Sequence, residues 1–258
     1  MFRFLSLLFF WLVILIPLSR YTSAATLQVA PVTLELQSHQ KATALYVTNT
    51  GATSIHAQIR VYEWSQEDNK DVLRPTDELI SSPAMTSLSS GERQLVRIIV
   101  LQPGSSVKEQ SYRLVIDELP NRASGSSNPN AVHFLLRYSI PVFITGREHK
   151  PAEQDDISCE QTKNIATIRC YNSGSRHLRL SNLQALTAED RVVGSIHGLA
   201  GYVLPGQTTL LTIKQTSQDK LSALRVYLND DHHASHIPLH PIATRASAVA
   251  TADSTSPR

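Results

Sequence analysis

The stretch "AVHFLLRYSIPVFI", Ala131 to Ile144, constrains the fold more than any other part of the chain. Every second residue from Val132 (Val132, Phe134, Leu136, Tyr138, Ile140, Val142, Ile144) is apolar or aromatic. Strict alternation of this kind is the pattern of a β-strand with one buried face. Ordinary strands have about 5 or 6 residues, whereas this run has fourteen. A run this long is either central to a sheet or an edge with an apolar stripe, and such an edge invites pairing with another chain. Pro141 removes one N–H late in the run, but Val132 to Leu136 carry no such protection.

Shorter alternating runs separated by Gly and Pro fill the remainder. "TLQVAPVTLEL", "KATALYVTNTG", "IHAQIRVYEWS", "ERQLVRIIVL" and "SYRLVIDELP" precede the long strand, and Pro31 marks a bend or an edge in the first of them. After Ile144, the polar "TGREHKPAEQDD" reads as a linker. A second series follows: "ISCEQ", "IATIRCYNSG", "LRLSNLQAL", "GYVLPGQTTLLTI" and "ALRVYLND". No window of twelve or more residues in these series has a helical period. The fold class is therefore all-β, two sandwich domains over 26–146 and 147–243. "NRASGSSNPN" (Asn121–Asn130) reads as a loop before the long strand, and 244–258 as a disordered tail rich in Ala, Ser and Thr.

The first 25 residues stand apart. Arg3 precedes an apolar run from Phe4 to Leu18, followed by the small residues Thr22 to Ala25, the pattern of a cleaved secretory signal peptide. A membrane-spanning helix needs about 20 apolar residues, and this run is shorter and closed by Pro17, Ser19 and Arg20. Of 24 Lys and Arg, Arg3 and Arg20 leave with the signal, while all 22 Asp and Glu stay, so the formal charge of the mature chain is zero. That balance argues against a nucleic-acid partner. No stable membrane insertion is expected. In an oxidising compartment, Cys159 and Cys170 are expected to form a disulfide rather than two free thiols.

Enzyme signatures are missing: there is no G-x-G-x-x-G, P-loop, G-x-S-x-G or H-E-x-x-H. No catalytic residue and no cofactor are expected. The cluster His232, His233, His236 and His240, beside Asp230 and Asp231, has the donor types of a transition-metal site. It lacks helical spacing to converge them and reads as a polar turn between the last strands, so no metal site is assigned.

Four stretches, in order, resemble the periplasmic chaperones of the chaperone–usher pathway. "LQVAPVTLEL" is similar to that family's first strand, and "YVTNTG" to its second strand and turn. "SSPAMTSLSSGERQLVRII" has the family's proline, turn glycine, glutamine and Val-Arg, and "YRLVIDELP" its Tyr-Arg…Glu-Leu-Pro signature. The resemblance implies two immunoglobulin-like domains forming a boomerang with an interdomain cleft. It also implies donor-strand complementation, in which the chaperone lends its seventh strand to a pilin groove. The donor residues would be Val132, Phe134, Leu136, Tyr138 and Ile140. Pilin subunits and an outer-membrane usher would be the partners, and the donor edge would be open to self-association. Where many relatives carry an arginine and a lysine that anchor the subunit's terminal carboxylate, this chain has Val32 and Pro141. That departure implies a divergent, archaic or alternative branch. It also makes Arg97 the anchor candidate, with an ion pair to Glu118 as its alternative role. An interdomain ion pair of relatives maps to Glu118 and Asp230, but its arginine position falls on Thr145. The competing reading is a secreted two-domain β-sandwich, a structural or adhesive pilus-associated protein.

Overall fold

The computed structural model describes residues 27–102, 106–120, 134–148, 150–162, 167–215 and 219–240. The signal peptide, the 121–130 loop, Val132 and the 244–258 tail lie outside the described residues. Ten strands precede the linker: β1 (Leu27–Ala30), β2 (Leu34–Leu36), β3 (Ala42–Asn49), β4 (Ile55–Glu67), β5 (Lys70–Pro75), β6 (Leu79–Ser82), β7 (Met85–Leu88), β8 (Arg93–Val100), β9 (Gln110–Leu119) and β10 (Arg137–Ile144). Seven follow it: β11 (Ile157–Gln161), β12 (Thr167–Asn172), β13 (Leu178–Leu186), β14 (Val192–Val203), β15 (Thr208–Thr212), β16 (Ala223–Leu228) and β17 (Ser235–His240). The all-β expectation holds, as two immunoglobulin-like sandwiches.

In the first sandwich, one sheet runs β1-β3-β8-β6 and the other β2-β10-β9-β4-β5, with β7 also on β4. The first strand changes sheet at Pro31, pairing with β3 before it and with β10 after it. Alternation supplies the core: Leu45 and Val47, Val96 and Ile98, Leu114 and Ile116, and Ile140, Val142 and Ile144 face inward and are buried. In the second sandwich the ladder is continuous, β14-β13-β16-β17-β11-β12-β15. Its own core is built on Ile168, Leu180, Leu183, Leu224, Val226 and Ile237. Cys159 and Cys170 face each other across β11 and β12 and are joined as expected.

Two readings need correction, and the linker gains detail. "GYVLPGQTTLLTI" is not one strand: Gly206, at φ +70°, turns the chain between β14 and β15. The histidine stretch is only half a turn, because Ser235–His240 forms β17 between β16 and β11. The linker is also tied down. Arg147 and Glu148 N–H groups donate to the Ser106 and Val107 carbonyls (3.1 and 3.2 Å). Gly146 lies so close to that segment that a Cβ would sit 2.2 Å from the Val107 oxygen, which only glycine permits.

Candidate functional site

The long alternating run folds as β10, and its two edges differ. Along its whole length it pairs with β9. On the other side β2 covers only Val142 to Ile144. The Glu118 N–H donates to the Leu136 carbonyl (2.9 Å), so even-numbered residues bond β9, while the Thr145 N–H donates to Leu36 (2.8 Å), so odd-numbered ones face the β2 side. Among the described residues no strand pairs with that side of Arg137, Ser139 and Pro141. Pro141 therefore stands where its missing N–H would face the uncovered edge.

The inward stripe is graded along the strand. Ile140 is buried in the chain's own core, although it was expected to extend the stripe offered to a partner; the sandwich closes over it. Leu136 and Tyr138 pack on the rim of that core, and the Tyr138 hydroxyl donates to the Leu27 carbonyl (2.5 Å). Phe134 is 83% exposed and Leu135 52%. On the outward face, Asp117 of β9 binds Arg137 with one carboxylate oxygen and Arg60 of β4 with the other. Partial burial tends to raise the Asp117 pKa, but the two guanidinium groups outweigh it and hold the carboxyl below the ordinary range.

Arg97 lies exposed on the outward face of β8, between Ala44 and Ser82, in the sheet that does not contain β10. None of the ion pairs among the described residues joins it to Glu118. Glu118 instead accepts the Leu136 N–H (3.3 Å). Nor does Glu118 meet Asp230, which pairs with Arg179 at 2.6 Å. The reason is distance along β9: Glu118 is nine residues from Glu109, about 30 Å of strand, and the interdomain junction is at the Glu109 end.

Sequence reasoning missed the residues that build the junction. Trp64, Phe143, Tyr202 and Leu204 form a buried cluster between the sandwiches, and the His177 ring stacks on Phe143 at 3.5 Å. Fully buried Glu109 accepts from the His177 backbone (2.9 Å), contacts its ring Nδ1 (2.7 Å), and has Arg176 Nε at 3.5 Å. The Gln66 amide donates to the Tyr202 carbonyl and accepts the Leu204 N–H (2.8 and 3.0 Å). The long alternation of β4 was the available signal, since a strand of 13 residues overshoots one sandwich. Thr33, Glu35, Arg176, Arg179, Tyr202 and Asp230 line the cleft beside this junction. His232 and His233 sit on the turn before β17, and among the described residues no three potential metal ligands converge. No described helix is long and apolar enough to cross a membrane.

A last strand of an immunoglobulin-like domain with one edge that no described strand covers is the geometry against which known proteins can be compared. The family model described as pili and flagellar-assembly chaperone, PapD N-terminal domain, matches residues 26–148. Residues 26–148, the first sandwich, are thus a pilus-assembly chaperone domain. No curated protein matches it by sequence. Among solved structures it is similar to a chain of the CsuC–CsuE chaperone–tip adhesion subunit pre-assembly complex, from the archaic chaperone–usher Csu pili of Acinetobacter baumannii. The two are 26% identical, with a TM-score of 0.64 over 84% of this chain and 100% of that one. The Pseudomonas aeruginosa CupB2 chaperone (17% identity, TM-score 0.57, 83% and 100% covered) has the same fold. So does a chain of the Salmonella enterica SafA pilin–SafB chaperone complex (14%, 0.61, 84% and 98%). The first domain matches the chaperone family model, and the fold of the chain is the one seen in these chaperones.

Proposed function

We propose that this chain is a non-enzymatic periplasmic chaperone, exported by its signal peptide, that caps pilin subunits by donor-strand complementation. It then delivers them to an outer-membrane usher. The observation that carries this reading is the uncovered edge of β10, continued by exposed Phe134 and Leu135, in a domain of the chaperone family. The backbone of β10 supplies ladder hydrogen bonds to a subunit lacking its own last strand, and alternate side chains fill the subunit's pockets. Val132, Phe134 and Leu136 each contribute roughly 1.5–3 kcal/mol on full burial, before ordering costs. The sequence has no phosphate loop, and release proceeds by exchange with the next subunit's donor segment. The similarity to a chain from archaic pili supports a place in that branch. For the subunit's terminal carboxylate, Arg97 is one candidate. The cleft guanidiniums Arg176 and Arg179 lie closer to the paired end of β10 and are the better-placed alternative.

The test is co-expression with a cognate pilin and recovery of a soluble one-to-one complex. Phe134→Asp is the cleanest variant, because the side chain is 83% exposed and its loss leaves the core intact. The expected result is no complex from Phe134→Asp or from Phe134→Asp/Leu136→Asp, with the Phe134→Asp melting curve unchanged. Complex formation at the wild-type level by both variants would overturn the reading.

A further inference from the structure

The last strand begins at Arg137, where two acidic residues of β9 hold it and its neighbour Leu136 from opposite faces. Arg137 lies directly across from Asp117. By the parity of the ladder this is a non-hydrogen-bonded pair, in which facing side chains stand closest. Asp117 is the middle member of a three-strand charge array, with Arg137 of β10 on one carboxylate oxygen and Arg60 of β4 on the other. Its side chain is 11% exposed, against 69% for Arg137, so the carboxylate is the partly desolvated centre and Arg137 the movable arm. On the inward face, Glu118 accepts the Leu136 N–H while its own N–H donates to the Leu136 carbonyl.

We propose that Asp117 is a positioning residue that fixes the register of the segment before β10. The inference rests on the donor-strand reading. A strand displaced by one residue turns its whole side-chain set to the other face. Phe134 and Leu136 reach a partner's pockets only while Arg137 stays outward. The Asp117 grip enforces that orientation without occupying the apolar stripe, because it acts from the opposite face. It ties the start of β10 to β9 and β4 together, where a single cross-strand contact to an exposed arginine would be weak.

Asp117→Asn and Arg137→Gln test this, with Asp117→Glu as the conservative rescue. Arg137→Gln alters an exposed side chain and leaves the Asp117–Arg60 contact in place, so it stays informative if Asp117→Asn folds poorly. Two readouts are needed: amide hydrogen exchange of the free protein, and the dissociation rate of a captured pilin. In both variants exchange at Leu136 and Tyr138 is expected to quicken about fivefold, the factor for one cross-strand charged pair. Ile140, Val142 and the second domain should be unchanged, and pilin release should quicken by a similar factor. Asp117→Glu should restore both. Unchanged exchange at Leu136 and Tyr138 would overturn the clamp. Faster exchange with unchanged pilin release would overturn its role in capture. If the wild-type chain captures no pilin, the donor-strand reading fails while the exchange result still decides whether the clamp exists.

Discussion

The two sandwiches follow one plan, and they part at the outer edge of the last strand. Each has a fully buried asparagine, Asn49 at the end of β3 and Asn172 at the end of β12, whose Oδ1 accepts the N–H of a glycine two residues on (2.9 Å in both). Each asparagine amide donates to a carbonyl four residues ahead, Thr53 and Arg176, at 2.8 Å. Each Asn carbonyl accepts from a turn glycine with positive φ, Gly91 and Gly206. Each last strand carries an Ile-Pro pair with a buried isoleucine, Ile140-Pro141 and Ile237-Pro238, and in both the proline's missing N–H faces the side covered only further along by the first strand. The second domain then seals what remains. A tight turn leads into β17, and the Gln154 side chain donates to the His236 carbonyl at 2.9 Å. At the same place the first domain presents Phe134 and Leu135 to solvent. An edge closed in one copy and, among the described residues, uncovered in the other is a departure from the shared plan, which is where function is expected to lie.

Breaking the shared part should hurt both domains, and this is the largest effect expected. Asn49→Ala and Asn172→Ala each leave one buried carbonyl (Leu88 or Val203) and one glycine N–H (Gly51 or Gly174) without that partner, at ~1–3 kcal/mol per group, so each should cost ~4 kcal/mol in total. In urea melts followed by domain-resolved NMR, Asn49→Ala should unfold the first sandwich first and Asn172→Ala the second. Equal loss in both domains from either change would mean that the sandwiches do not fold as separate units. Next in size is the disulfide, which only the second sandwich has. Reduction should lower that domain's stability by ~3 kcal/mol on the chain-entropy model, leaving the melt of residues 27–144 in place.

Much of this plan was legible in the residues. Period-two alternation located most of the principal strands, because sandwich strands with one wet face write their burial directly into the sequence, and the compartment implied by the signal peptide gave the Cys159–Cys170 pair. The duplicated signals, "NTG" with "NSG" and "SIPV" with "HIPL", were equally visible but had to be compared with each other to be seen. Strand β5 escaped notice because neither of its faces is buried, so no alternation marks it. Strand β17 was hidden by Pro238 and its histidines, residues that read as a turn unless the edge geometry is known. The junction was illegible for a different reason. Glu109 and His177 are 68 residues apart, and nothing local to either announces a buried partner. Glu118 misled because a resemblance carries residue types but not this chain's distances along β9.

The smallest expected effect sharpens the comparison most. If the difference between the edges lay only in the Gln154 cap, Gln154→Ala should make β17 as adhesive as β10. The cap is one exposed hydrogen bond, so its loss should cost no more than about 0.5–1 kcal/mol. What would be uncovered is the short stretch Ser235–Pro238, beside exposed His236 and with Pro238 lacking an N–H. That edge offers no apolar stripe to a partner. Gln154→Ala should therefore stay as monomeric as Phe134→Asp in sedimentation velocity, at concentrations where any self-association of the wild-type chain through β10 is measured. New self-association of Gln154→Ala, persisting when Phe134 is also replaced, would place the adhesive property in the bare backbone edge. Its absence would place it in the side chains that precede Arg137.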